Sequence, residues 1–232
     1  MTRGEDEPWT LPRLVAVYGR RHEPQWLIDD LEANLAPLVD AIVCVDDRER
    51  AATEAWGHEG RFRARQREAA MMAGAEWVLV VDADERLEDC AGPKLRQLTI
   101  GADALYRFPM RELFTPTSYR IDGRWPHIRR TRMYPAHHGQ QMSTKPIHAP
   151  PVPILTGLPT VDVDINFYHL KMIEPANRIA RARAYVRAES QHGVKRRPWG
   201  ALTATIGMRL LPIPAGRGFT PGYTRPYVIG QP

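Results

Sequence analysis

Trp77-Val78-Leu79-Val80-Val81 is an unbroken apolar run that stops abruptly at Asp82-Ala83-Asp84-Glu85. A short run of this kind suits a strand covered on both faces, as strands are inside parallel sheets. A carboxylate within the run would be buried without a partner, whereas one at its carboxyl end can face a cleft. Two earlier runs have the same character. Leu14-Val15-Ala16-Val17-Tyr18 comes first, and Ala41-Ile42-Val43-Cys44-Val45 follows and ends in a second acidic pair, Asp46-Asp47.

Helical signals lie between the runs. Pro24 sits where a first helical turn tolerates proline, Leu27, Ile28, Leu31 and Leu35 recur at helical spacing, and Pro37 marks the stop. A second helix is expected over Arg61–Ala73, with Phe62, Gln66, Ala69 and Ala73 on one face and Gly74 as its cap. Alternating strands and helices predict an α/β fold with a mostly parallel sheet, in which ligands bind beyond the carboxyl ends of the strands. Both acidic pairs fall there.

From residue 91 the pattern loosens, with strands expected near Ala104–Phe108, Ser118–Ile121 and Ile128–Tyr134 and few helices. Val161, Val163, Ile165 and Phe167 alternate with polar or amphipathic residues, the period of one half-buried strand ending at His169. A helix should follow from about Pro175, with Ile179, Ala182 and Val186 inward and its arginines on a solvated face. One catalytic domain is expected over 10–190. The Pro- and Gly-rich 191–232 read as a lid, a docking strap or a partly disordered end, with a short helical piece near Ala201–Leu211.

The composition, 43% hydrophobic and 25% charged over 232 residues, is that of a globular protein rather than a disordered one. The two cysteines, Cys44 and Cys90, have neither disulfide-framework nor zinc-site spacing, which favours a reducing compartment. No apolar run approaches the ~20 residues of a membrane-spanning helix, and the first residues lack a signal-peptide core, so the expected location is cytoplasmic, with contact to a membrane surface left open. A net charge of +5 attracts anions. Because aromatic residues are not interleaved with the arginines, a phosphate-bearing small molecule is preferred to nucleic acid as the partner.

Two carboxylates one residue apart at the end of a buried strand suit a hard divalent cation, magnesium or manganese, with a diphosphate completing the coordination. Asp82 and Asp84 are therefore candidate metal ligands. Glu112, Asp122 and His148 are candidates for a general base, a group placed to take a proton from a bound reactant.

The stretch Arg65-Gln66-Arg67-Glu68-Ala69-Ala70 followed by Ala73-Gly74-Ala75-Glu76-Trp77 and the Asp82-Ala83-Asp84-Glu85 ending resembles the family 2 glycosyltransferases, with Gln66 where that family usually has asparagine. The resemblance covers roughly residues 12–90. It implies the GT-A fold: a Rossmann-like, mostly parallel sheet flanked by helices, with a smaller mixed region on the acceptor side. It further implies a nucleotide-diphosphate sugar donor and inversion at the anomeric carbon, and leaves open whether the acceptor is a protein, lipid or glycan. Nucleotide contacts are implied near Tyr18, Arg20, Glu23 and Asp46, with Asp47 beside them, and diphosphate or ribose contacts near Arg65 and Asp82. Arg48-Glu49-Arg50 stand where the family has Ser-Thr-Asp. Arg129-Arg130-Thr131-Arg132 is similar to the family's arginine-rich strand. Tyr168-His169-Leu170 is similar to its late histidine ligand, which makes His169 the third metal candidate. His148 resembles part of a His-Glu element whose acidic member is missing from the sequence here.

Two other classes remain. An aspartate-nucleophile phosphohydrolase also places Asp-x-Asp after an apolar strand, but normally at the opening of the domain. A non-enzymatic anion or nucleic-acid binder would account for the charge and leave the acidic strand ends unexplained.

Overall fold

The computed structural model describes residues 11–48, 58–154, 157–193 and 198–228. Leu14–Arg20 (β1) lies between Ala41–Asp46 (β2) and Trp77–Val80 (β3), parallel to both. Alternation along β1 divides its side chains between two apolar clusters. Leu14, Ala16 and Tyr18 join Ile28, Leu31 and Leu35 of α1 (Gln25–Leu35), while Val15 and Val17 join Phe62 and Ala70 of α2 (Glu59–Met72). With a helix on each face, β1 and β3 have no solvated side, which is why their sequences are continuously apolar. Full burial of each Leu, Ile or Val is worth roughly 1.5–3 kcal/mol.

After β3 the topology differs from the expected mostly parallel sheet. Glu85–Leu87 (β4), Ala91–Ile100 (α3), Leu105–Thr115 (β5), Ser118–Arg120 (β6) and Arg129–Pro135 (β7) follow in order. β7 pairs antiparallel with β3, β5 antiparallel with β7, and β6 antiparallel with β5. Parallel neighbours need a crossover of a dozen or more residues, whereas β5 and β6 are joined by a tight turn at Pro116-Thr117, so that link enforces antiparallel pairing. Thr160–Asp162 (β8) and Phe167–His169 (β9) run parallel to β5, and β9 also pairs antiparallel with β4. The sheet is mixed.

Three local expectations need correction. The single strand over 161–169 is two short ones, because β8 pairs with Leu105–Arg107 and β9 with Met110–Glu112 farther along β5. On α4 (Pro175–Gln191), Ile179 and Val186 are exposed, and Asn177, Arg178, Ala188 and Glu189 are buried instead. Arg178 sets that rotation: its guanidinium donates to the carbonyls of Met172, Ile173 and Phe114 and lies 4.2 Å from the Phe114 ring centroid. Near Ala201–Leu211 there is a 3-10 turn at Trp199–Leu202 and then a strand, Leu210–Pro212 (β10), antiparallel to β6.

Residues beyond β10 lie across the domain. Arg217 grips the fully buried Glu88 through two nitrogens, each at 2.8 Å, and Phe219 and Tyr227 pack in a cluster with Leu27 and Tyr168. Among the described residues no helix is long and apolar enough to cross a membrane.

The start of α2 fixes a loop that matters below. Glu59 and Gly60 donate backbone hydrogen bonds to the carbonyls of Pro146 and Lys145, both at 2.9 Å. A Cβ on Gly60 would stand 2.2 Å from the Ser143 carbonyl oxygen, a backbone atom with nowhere to go. Gly60→Ala is therefore expected to lower stability by about 1–3 kcal/mol through overpacking, read as a shift in urea midpoint at unchanged m.

Candidate active site

The carboxyl ends of β1 and β3 open onto a cavity of about 560 Å³, bounded on its far side by β5, β7, β9, α4 and the 146–152 loop. Asp82 and Asp84 both line it, as do Glu23, Glu112, His148 and His169.

Asp82 is clamped by arginines. Its Oδ1 accepts from both terminal nitrogens of Arg63 at 3.1 Å and its Oδ2 from Arg132 at 2.9 Å. Burial works against its charge, but Arg132 and Arg63 hold the carboxyl far below the usual carboxylate range. Arg132 also pairs with the buried Glu85, whose carboxylate in turn accepts from the Asp82 amide. Burial pushes Glu85 up to about 7 despite Arg132.

Asp84 belongs to a different cluster. Its Oδ2 lies 2.9 Å from Lys171 Nζ and 3.3 Å from His169 Nε2, while His169 Nδ1 lies 2.7 Å from Glu112 Oε2. Arg181 stands behind this pair, 3.9 Å from Glu112. Burial opposes ionisation of all three groups. Against it, Lys171 and His169 hold Asp84 well below its ordinary value, His169 and Arg181 bring Glu112 to about 2, and Glu112 and Asp84 raise His169 to about 10.

The donor set accommodates a divalent cation only in reduced form. A carboxylate on the second imidazole nitrogen is the usual support of a metal-ligating histidine, and Glu112 supplies it for His169. Asp84 and His169 could then serve as two protein ligands, with the remainder left to phosphate oxygens and water. Asp82 is drawn away by its two arginines, and among the described residues no group of three or more His, Cys, Asp or Glu could hold a metal.

No family model matches the chain. No curated protein matches it either. Among solved structures, the crystal structure of residues 1–349 of TarS from S. aureus aligns with a TM-score of 0.42 at 13% identity, over 83% of this chain and 69% of that one. So slight a likeness carries neither fold nor chemistry, which rest on the strands and side chains themselves.

The residues expected to contact a nucleotide are scattered. Tyr18 is buried on the α1 face and donates to Glu32 at 2.6 Å, because strand alternation sends it inward, and it does not line the cavity. Arg20 is turned to Gln25, and Asp46 is exposed and paired with Arg48. Asp47 is buried beneath Arg21 at 3.2 Å and Arg65 at 3.0 Å. Arg65, expected at a helix start facing the cleft, is farther along α2 and lies outside the cavity lining, where Arg63 stands instead. Glu23 lines the cavity and caps the backbone amides of Arg21 and His22. Glu49 and Arg50 lie outside the described residues.

The base candidates separate as well. Asp122 lies outside the cavity lining, fixed by Arg120 through two 2.8 Å bonds, so it cannot reach an acceptor bound there. Glu112 is committed to His169. His148 lines the cavity, and its partner is Glu189 on α4. Sequence reasoning missed Lys171, Arg181 and Glu189. Lys171 follows His169 by two residues, a proximity that could have drawn attention to it; Glu189 gave no signal, being one more charge on a helix.

Proposed function

We propose that this chain transfers a sugar from a nucleoside-diphosphate sugar to an acceptor hydroxyl in the cavity beyond β1 and β3. What would carry the reading is the Asp82-Ala83-Asp84 turn at the end of a parallel strand, ion-paired to Arg132 and Lys171 and lining, with them and Arg181, one cavity of about 560 Å³. The resemblance of residues 12–90 to family 2 glycosyltransferases points the same way.

Charge sets the mechanism. As the bond between the anomeric carbon and the diphosphate breaks, negative charge grows on the departing oxygen, and fixed cations aimed at it lower the barrier. Lys171 and Arg181 would meet that charge, while Arg63 and Arg132 hold the strand end rigid. Asp84 and His169 would hold a magnesium or manganese ion, with Glu112 setting the imidazole, and such an ion would further neutralise the leaving diphosphate. The acceptor oxygen attacks from the face opposite the diphosphate, which inverts the centre.

The test is a panel of uridine, guanosine and thymidine diphosphate sugars with the full chain, following release of nucleoside diphosphate. At least one donor should be turned over in manganese or magnesium, and EDTA should reduce that rate by about a hundredfold or more. Should no nucleoside diphosphate bind or raise the melting temperature and no donor be cleaved, the reading is wrong; turnover undiminished by EDTA would remove the metal alone.

A further inference from the structure

His148 adopts a left-handed backbone with φ 54°, uncommon for a residue with a Cβ and a kind of strain that gathers at functional sites. The loop bearing it is held on α2 by the Glu59 and Gly60 amides, and Glu59 Oε2 accepts from the Ala149 amide at 3.2 Å. Its ring is fixed from the other side. His148 Nε2 lies 3.1 Å from Oε1 of Glu189, which is fully buried and whose Oε2 accepts from Trp199 Nε1 at 2.8 Å. Tyr185 and Trp199 stack with centroids 4.0 Å apart, and the imidazole is inclined only 26° to the Trp199 plane at 6.1 Å.

A carboxylate on Nε2 favours the tautomer with its proton there, leaving Nδ1 as the basic nitrogen of a ring that lines the same cavity as Asp84 and His169. This is the logic of a base oriented by a buried acid, met here by residues from two distant segments.

We infer that His148 is the general base of the transfer and that Glu189 of α4 is its positioning residue. The inference rests on the sugar-transfer reading above. The acceptor O–H gives its proton to His148 Nδ1 as its oxygen bonds the anomeric carbon; the carbon–oxygen bond to the diphosphate breaks, its electron pair leaves with the nucleoside diphosphate, and the imidazolium later loses the proton to solvent.

The experiment joins kinetics on the donor panel with ¹⁵N spectra of the histidine side chains. In His148→Gln, kcat should fall by about 10²–10⁴-fold while the affinity for nucleoside diphosphate stays within about twofold. Added imidazole should restore part of the rate in His148→Ala. Glu189→Gln should lower kcat and change its pH profile, because its amide can donate to Nε2 and reverse the tautomer. At about pH 8, wild-type His148 should carry its proton on Nε2. A folded His148→Gln with undiminished kcat overturns the inference, and so does a proton found on Nδ1, a readout that needs no substrate. If wild type cleaves no donor, the transfer reading fails, while the tautomer still decides how the pair is arranged.

Discussion

Asp84→Asn is expected to cut nucleoside diphosphate release by about a thousandfold, the equivalent of ~4 kcal/mol of transition-state stabilisation, while leaving a folded chain. Asp84 pairs with Lys171 and is, beside His169, one of the two proposed metal ligands, so the amide removes the charge that would hold Lys171 and a metal ion at the leaving group. Its neighbour gives the contrast. Asp82→Asn should weaken the grip of Arg63 and Arg132 on the strand end and cost activity through positioning, with a smaller loss in kcat. Initial rates at saturating donor check the order, and equal losses in the two variants would contradict the division of the acidic turn into a cation-holding and an arginine-holding half.

Arg132→Met is the change expected to damage the fold most. Arg132 is almost fully buried and joins Asp82 and Glu85, and Glu85 is itself 1% exposed, so the variant leaves a buried carboxylate without its countercharge. Breaking such a pair costs about 3–5 kcal/mol, a large share of the 5–15 kcal/mol that holds a typical domain. The sign with pH follows from Glu85. Its folded-state value, already raised to about 7 by burial, rises further without the guanidinium, so the penalty is smallest in acid and grows as pH rises through neutrality. The second mutation Glu85→Gln should recover a good part of the loss, and urea unfolding of the four members of the cycle measures it. A cycle in which the two effects simply add would show that Arg132 does not act through Glu85.

The opening of the chain was legible because its local and tertiary demands agree. Leu14–Tyr18, Ala41–Val45 and Trp77–Val81 are apolar throughout, and the two helices between them show their inward face every three to four residues, so period alone locates β1, α1, β2, α2 and β3. The later part was less legible for an identifiable reason. α4 hides Arg178 and Glu189 and exposes Ile179 and Val186, since carbonyls, an indole and an imidazole satisfy the buried charges, and no hydropathy pattern anticipates such partners. α3 went unpredicted beside a stretch whose strands dominated the signal.

The sequence by itself determined the kind of site: an acidic turn closing a buried strand, with arginines and late histidines supplied farther along the chain. Only the tertiary structure decided which groups meet. Strand alternation turns Tyr18 inward, the course of α2 puts Arg63 rather than Arg65 on Asp82, and the packing of α4 brings Glu189 to His148 across 41 positions of sequence. Spacing along a chain reveals which residues share a face of one element, but side chains from different elements are brought together by sheet register and helix packing, and those are settled by the burial of the whole core.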